Sequence, residues 1–359
     1  MSYSLTPGYR VPAVQRGLSR VETLLTKANI GVGSALLVSA MATPPPPWTF
    51  GAVGTAAFLL NVSPGHRSIA RWTAVGYRRM RERTVPASMT DRPGATETWT
   101  LYPQHGTMQD APKRAAFHHA FARSLVFASE QARSAGIQVH VTHHAETGTC
   151  TTHTQTISVH VPKGLVGQPD RVLGTLEGEF ARLGDLMLAD LAPVPEVVDR
   201  ASGWVALEDG RFASTARITG WPDATDGDLM AKFLLKPDGP DRSVGVMYRP
   251  LPISQAHRSA RWQKAASGAF TTDPIKHDAQ DMASSSTHGA LVQGATLVDI
   301  DAYLTVWGDS PETVAAARWD TTLTADRHRI SLDWLTGQQH RAYVMTTPHG
   351  AATAKGAIL

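Results

Sequence analysis

The sequence has a single cysteine, Cys150, among its 359 residues. One cysteine excludes an internal disulfide and a four-cysteine zinc site, and it is typical of a chain kept in a reducing compartment. Phosphate-loop and hydrolase signatures are missing as well, because no G-x-x-x-x-G-K-[ST], H-E-x-x-H or G-x-S-x-G pattern occurs. We therefore expect no catalytic residues, no cofactor, no resident metal and no enzyme activity.

Charge is missing from residues 28–66, which contain no Asp, Glu, Lys or Arg. A helix that crosses a membrane needs roughly 20 apolar residues, and the four prolines Pro44–Pro47 prevent one continuous helix. The run predicts a transmembrane helical hairpin over residues 28–64, after a basic cytoplasmic N-terminus at residues 1–27. Two alternatives stay open: a secretory signal cleaved before Thr43, and two apolar core segments of a soluble protein.

Basic residues flank this apolar run on both sides. Residues 1–92 carry 11 basic and 3 acidic side chains, whereas residues 93–359 carry 23 basic and 28 acidic ones. The positive-inside rule predicts an inner (plasma) membrane protein with both termini and the main body in the cytoplasm. A juxtamembrane basic helix and linker follow at residues 65–94. This helix is either solvated or bound to anionic lipid through Arg71, Arg78, Arg79, Arg81 and Arg83.

The rest of the chain alternates short strands with helices. This order predicts an α+β fold class, in which the hairpin is followed by two ferredoxin-like α/β modules at residues 95–195 and 203–350. Predicted strands cover 97–102, 137–144, 154–162, 211–221, 243–248 and 296–307, and predicted helices cover 112–135, 168–191, 226–235, 254–269, 274–291 and 311–324. Ser310 followed by Pro311 marks the start of the last helix. No internal repeat is visible.

Histidines form the one dense cluster of side chains that can bind a metal or transfer a proton. Five of the 15 histidines lie within 21 residues, namely His140, His143, His144, His153 and His160. If the strands pair around Gly148, three imidazoles could hold a divalent metal, with Glu146 as a further ligand or base. Alternate residues of a strand face opposite sides, so only some of these imidazoles can converge. We favour a solvent-facing hairpin over a metal site at His140–His160.

Two carboxylates, Asp299 and Asp301, are spaced for one face of a strand. Paired carboxylates of this kind can serve as general acid and base. Because they alternate with Val298 and Ile300, we interpret them instead as the exposed face of a half-buried strand.

Short motifs, in order along the chain, resemble those of a known family. They are Gly65–Ser68, Trp204–Arg211, Ile218–Pro222, Tyr248–Ala256, Ala302–Val306, Leu335–Gln339 and Ala342–Pro348. Together with the apolar run they resemble the hairpin-anchored membrane proteins of actinobacterial conjugative elements. Those proteins are similar to the non-ATPase N-terminal domain of TrbE/VirB-type type IV secretion ATPases. The EccE-type subunit of type VII secretion systems is also similar.

The resemblance implies an inner-membrane scaffold or docking subunit of a conjugative, type IV-like secretion apparatus, without catalytic activity of its own. Its partners would be the membrane, a secretion or conjugation ATPase and other channel subunits, in an oligomer within a complex. Two alternatives stay open: an EccE-type subunit of a type VII secretion system, and a membrane-anchored metalloenzyme that uses the histidine-rich hairpin.

Overall fold

A computed structural model describes most of the chain from Gly94 to Pro348 and a few short segments before it. The described residues are 3–4, 28–29, 31–35, 46–61, 73, 94–107, 110–131, 137–148, 150–162, 168–191, 194–222, 224–225, 229–236, 239–258, 289, 291–292 and 294–348.

These residues form twelve strands and six helices whose bounds are given below, and residues 28–29, 31–35, 253–258, 289 and 291–292 are helical as well. The strands are β1 (Tyr3–Ser4), β2 (Gly94–Pro103), β3 (Gln138–Glu146), β4 (Thr152–Pro162), β5 (Gly184–Leu188), β6 (Val197–Arg200), β7 (Val205–Leu207), β8 (Phe212–Gly220), β9 (Ala224–Thr225), β10 (Arg242–Pro250), β11 (Val298–Gly308) and β12 (Ser331–Trp334). The helices are α1 (Pro47–Asn61), α2 (Ala111–Gln131), α3 (Pro169–Phe180), α4 (Leu229–Leu234), α5 (Pro311–Arg327) and α6 (Gln339–Ala342), and a 3₁₀ turn follows at Tyr343–Thr346.

Ten of the strands form one antiparallel sheet in the order β5-β2-β4-β3-β10-β11-β8-β7-β6, with β12 also paired to β8. Eight of these strands form two halves with the same connectivity, strand-helix-strand-strand-helix-strand, and β7 and β6 continue the sheet beyond β8. The strand order is β5-β2-β4-β3 in the first half and β12-β8-β11-β10 in the second. The sequence shows no trace of this repeat.

The second strand of each half joins the two halves. Strands β3 and β10 pair antiparallel, from Val139 opposite Tyr248 to Ala145 opposite Arg242. The pairing makes the sheet continuous, and it places both strands in the interior of the sheet, where their backbone groups are satisfied on both sides.

Helices α2, α3, α4 and α5 pack on one face of this sheet. In the first half, Trp99, Val139 and Ile157 belong to a core cluster with side chains of α2 and α3. In the second half, Leu304 and Phe233 belong to a cluster that also contains residues of β8, β10 and α5. Side chains alternate along each strand, so the residues between these positions face the opposite side of the sheet. Helices α2, α3, α4 and α5 do not cover that side.

The predicted fold class is wrong. The two halves have the strand-helix-strand-strand-helix-strand connectivity of ferredoxin-like modules, but they share a single ten-stranded sheet instead of following a transmembrane hairpin as two separate modules. In the part of the chain that the structure describes, no helix has the length and apolar character needed to cross a membrane. The reason lies in helix length, since the 15 residues of α1 span about 22 Å against a hydrocarbon core of about 30 Å.

Residues 10–84 and 356–359 form a compact unit apart from residues 1–9 and 85–355. In this first unit, the amide of Asn29 donates a hydrogen bond to the carbonyl of Val53 in α1 at 3.3 Å. Part of the predicted hairpin and the lipid-binding arginines Arg71, Arg78, Arg79, Arg81 and Arg83 lie outside the described residues. The predicted boundaries at 1–27, 28–64, 65–94, 95–195 and 203–350 stay predictions.

Local predictions differ in their outcome. Helix α5 begins as expected, with the Ser310 side chain accepting a hydrogen bond from the Thr313 amide at 3.2 Å. The predicted helix at 168–191 is wrong, because it ends at Phe180 and the chain returns as β5. At Gly184 an added Cβ would lie 2.1 Å from the Tyr102 carbonyl. Only glycine therefore allows this close approach of β5 to β2.

Candidate functional site

The face of the sheet opposite α2, α3, α4 and α5 carries hydroxyl and imidazole side chains at many of its buried positions. Its buried members are Thr98, His140, Thr142, Thr156, Ser158, His160, Thr215 and Thr305. Thr98 donates to Ser158 at 2.8 Å, and Thr215 is hydrogen-bonded to Thr305 at 2.8 Å. We call this surface the polar face.

The C-terminal segment, residues 335–348, lies across the polar face. Thr346 donates to Thr305 at 2.7 Å, and Ser158 donates to the Pro348 carbonyl at 2.5 Å. These contacts belong to strands of both halves, β4 and β11. The C-terminal segment therefore holds the two halves together on the side opposite the helices.

Gln339 fills a gap in the sheet. On the outer side of β8, β7 pairs only with residues up to Ala213, and β12 pairs from Ala216 onward. The backbone of Thr215 faces the space between them, where the Gln339 side chain accepts from its N–H at 2.6 Å and donates to its carbonyl at 3.0 Å. The amide side chain thus replaces a missing strand residue, which explains the second glutamine of the Leu335–Gln339 motif.

His140 fixes the C-terminal segment at the junction of the halves. Its Nε2 donates to the Met345 carbonyl at 2.9 Å, because a carbonyl oxygen can only accept. The opposite strand carries Gly245, where an added Cβ would lie 1.8 Å from the Met345 oxygen. Burial lowers the pKa of His140 to about 4, so the ring is neutral at physiological pH.

An ion-pair network lies on the same face. Asp301 accepts from Arg217 at 2.7 Å and from Arg249 at 2.6 Å, and these three residues belong to three adjacent strands. Burial alone would raise the pKa of Asp301, but the charges of the two arginines and their hydrogen bonds outweigh it and hold the pKa below its ordinary value. Asp301 is 7% exposed. The prediction that it lies on an exposed strand face is therefore wrong.

The histidine-rich hairpin is divided between the two faces, as alternation along the strand predicts. His143 and His153 stack on the helix side, with Nδ1 and Nε2 3.2 Å apart. Burial and the neighbouring imidazoles lower the pKa of both rings. His144 instead contacts Ser243 at 2.7 Å and Glu146 at 3.1 Å.

The interpretation of this hairpin as solvent-facing is wrong for the end of the hairpin that lies away from the turn. His140 and His160 are buried, and only the end near the turn is exposed, including His153 and the free thiol of Cys150. In the described part of the chain, no three His, Cys, Asp or Glu side chains lie where they could share a metal ion. The metalloenzyme alternative therefore finds no ligand set at His140–His160.

Sequence reasoning missed the residues that matter most on this face. Arg249 and Gln339 stand in motifs that the sequence analysis used only for their resemblance, while Arg217 and Gly245 lie in the strands predicted at 211–221 and 243–248, where neither was assigned a role. No local signal marked Arg217, because it alternates with Ala216 and Ile218, and this pattern predicts that a charged side chain faces solvent.

The buried histidine predicts that the fold loses stability in mild acid. His140 has a lower pKa in the folded chain than the 6.5 of an ordinary imidazole, so the unfolded chain binds more protons between these values. Stability is therefore complete above pH 6.5 and falls toward pH 4, by about 2 kcal/mol at pH 5 from this one residue. Urea unfolding at pH 7 and pH 5 measures the loss.

The replacement His140→Gln retains a donor for the Met345 carbonyl and removes the titration. We expect the difference between pH 7 and pH 5 to shrink by about 2 kcal/mol in this variant. The matched control is His119→Gln at an exposed position of α2, which should leave the difference unchanged. An equal pH dependence of His140→Gln and the unmodified chain would contradict the assignment.

No protein-family model matches the chain, and no curated protein matches it either.

Proposed function

We propose that the chain is a docking subunit of a conjugative, type IV-like secretion apparatus, in which a partner ATPase supplies the hydrolysis. The observation that carries the proposal is an exposed apolar pair on the outer side of α5. Trp319 and Leu323 are one helical turn apart, and they are 70% and 42% exposed. A tryptophan in this position has no role in the core, and tryptophan is the residue most enriched at the centres of protein interfaces.

The use of the polar face also supports a docking role. His140, Gln339 and Asp301 all make their hydrogen bonds to other parts of the same chain. These side chains stabilise the sheet and the contact between the sheet and the C-terminal segment. Surfaces for a partner then remain on the helix side of the sheet, where Trp319 lies.

The charge distribution and the motif resemblance both favour the proposed classes of partner, a secretion ATPase and an anionic membrane. Residues 93–359 carry 28 acidic and 23 basic side chains, which favours a partner with a basic docking surface. The basic residues before position 93 favour anionic lipid. Location at the inner membrane, with the body in the cytoplasm, is part of the proposal.

Photo-crosslinking in the cells that encode the chain tests the partner. A photoreactive phenylalanine at Trp319 is expected to form a cross-link to a secretion ATPase with a phosphate-binding loop. The matched control is the same probe at Ala122, an exposed position on α2, which should not give this product. A cross-link from Trp319 to a type VII secretion motor, or to no secretion component, would overturn the proposal.

The variant Trp319→Ala tests how much the Trp319 side chain contributes to the binding free energy for the ATPase. Removing an interface tryptophan costs about 2 kcal/mol of binding free energy, which weakens affinity for the ATPase about 30-fold. Because Trp319 is mostly exposed in the isolated chain, its stability should change by no more than about 0.5 kcal/mol. Affinity is measured with the purified chain and ATPase, and DNA transfer between cells should fall in parallel.

A further inference from the structure

The outer side of α5 has an apolar centre with a carboxylate at each end. Its exposed residues include Glu312, Ala316, Trp319, Leu323 and Asp326. Their spacing of three or four residues places all five along one side of the helix. Glu312 and Asp326 are each seven residues from Trp319, so each carboxylate lies nearly two turns, about 10.5 Å, from the tryptophan along the helix axis. We call this stripe of five residues the α5 face.

The charged residues directly beside Trp319 have partners within the chain. The Arg318 guanidinium lies 4.8 Å from the centre of the Trp334 ring. The Asp320 carboxylate forms an ion pair with the buried Arg242 at 2.7 Å. These contacts hold both neighbouring side chains against the body of the molecule. Trp319 is therefore exposed between two side chains that are already bound elsewhere.

The two carboxylates of the α5 face have no such partners. Neither Glu312 nor Asp326 forms an ion pair with a residue that the structure describes. Glu312 lies in the first turn of α5, where the positive end of the helix dipole stabilises a carboxylate. Asp326 lies in the last turn, where the same dipole is unfavourable for a carboxylate. The helix itself thus gives no reason for Asp326, and its charge is available to a cation of a partner.

We propose that the α5 face binds a basic amphipathic helix of the partner ATPase, an inference that rests on the function proposed above. The bound helix has apolar side chains at its centre, which pack against Trp319 and Leu323. It has a Lys or Arg about two turns away on each side, opposite Glu312 and Asp326. Ala316 lets the bound helix approach closely, because its side chain ends at Cβ.

Charge disfavours the other occupants of this face. A second copy of the chain would pair α5 with α5 around Trp319. In an antiparallel pair Glu312 lies opposite Asp326, and in a parallel pair each carboxylate lies opposite its own copy. Both arrangements bring like charges together, which is destabilising. Anionic lipid and nucleic acid are repelled by the same carboxylates. The α5 face is therefore complementary to a cationic helix.

The variant Asp326→Arg tests the charge on this face. Arginine in the last turn is favoured by the helix dipole, so urea unfolding should show at least the stability of the unmodified chain. The dissociation constant for the purified ATPase should rise about tenfold, chiefly because association becomes slower. The matched control is Glu130→Arg at an exposed position of α2, which should leave the affinity unchanged.

An exchange of charges tests the pairing directly. Mass spectrometry of the product that the photoreactive probe at Trp319 forms locates the ATPase segment that contacts α5. We expect a helix with Lys or Arg on both sides of an apolar centre. Replacing the basic residue nearest Asp326 by Asp should restore the affinity for Asp326→Arg to within about threefold of the unmodified pair. A change in folding alone cannot produce this rescue.

Three results would overturn this inference and leave the proposed function intact. They are a cross-link from Trp319 to an acidic or uncharged segment of the ATPase, an unchanged affinity of Asp326→Arg, and an exchange of charges that fails to restore binding. A missing cross-link to the ATPase would overturn both proposals.

Discussion

Replacing Asp301 by alanine is expected to lower the free energy of unfolding by about 3–5 kcal/mol. The carboxylate lies between Arg217 and Arg249, whose side chains are 22% and 12% exposed. Its removal leaves two positive charges close together with little access to water, and neither can give up its proton. Urea unfolding at pH 7 measures the change.

The control for this variant is Asp309→Ala, at an exposed position just after β11. Loss of a carboxylate there should change stability by less than about 0.5 kcal/mol. An Asp301→Ala variant as stable as this control would show that the network contributes nothing.

The same network predicts how the free energy of unfolding changes in strong acid. The pKa of Asp301 is below its ordinary value of 3.8 in the folded chain, so the unfolded chain takes up this proton first as pH falls. The stability from Asp301 is complete above pH 3.8 and is lost as pH falls through the folded pKa. Asp301→Asn should remove this part of the acid dependence, which is separate from the loss near pH 5 caused by His140.

Replacing Gly245 by alanine is expected to displace the C-terminal segment from the polar face. The new Cβ would lie 1.8 Å from the Met345 carbonyl oxygen and 2.9 Å from His140 Nε2. The backbone atoms of β10 pair on both sides within the sheet, so the C-terminal segment is the part that moves. We expect a loss of about 1–3 kcal/mol, together with faster amide hydrogen exchange at Thr346 and Thr347.

Gly178→Ala is the matched control for this variant. An added Cβ meets nothing within 4 Å at this exposed helical position, and it should stabilise α3 by up to about 1 kcal/mol. If Gly245→Ala kept both the stability and the exchange protection of the unmodified chain, the close contact with Met345 would not constrain the fold.

Sequence patterns predicted elements well where the signal is local. Ser310 and Pro311 define the start of α5 through their own backbone chemistry, and the strand predicted at 296–307 is found at Val298–Gly308. The helix predicted at 168–191 failed because tertiary pairing with β2 converts its second part into β5. Local periodicity does not report such a pairing.

Burial could not be predicted for the polar face, for a related reason. Alternation of polar and apolar residues reports exposure only where one face of a strand meets water. Asp301 and His140 are polar, so the pattern indicated solvent, yet each is buried by partners distant in sequence. For His140 that partner is Met345, 205 residues later. Because the contacting residues are this far apart in sequence, short motifs could not show which residues meet at the candidate site.

The position of Gln339 late in the sequence affects when the sheet can be completed during synthesis. The Thr215 backbone groups that it satisfies are 124 residues earlier, and the contact of His140 with Met345 is longer still. Both halves of the sheet leave the ribosome before their shared cover exists. Contacts of such long range form late and slowly in folding. Newly made chains therefore pass through a period in which the polar face is exposed to water and the Thr215 backbone groups lack the Gln339 side chain.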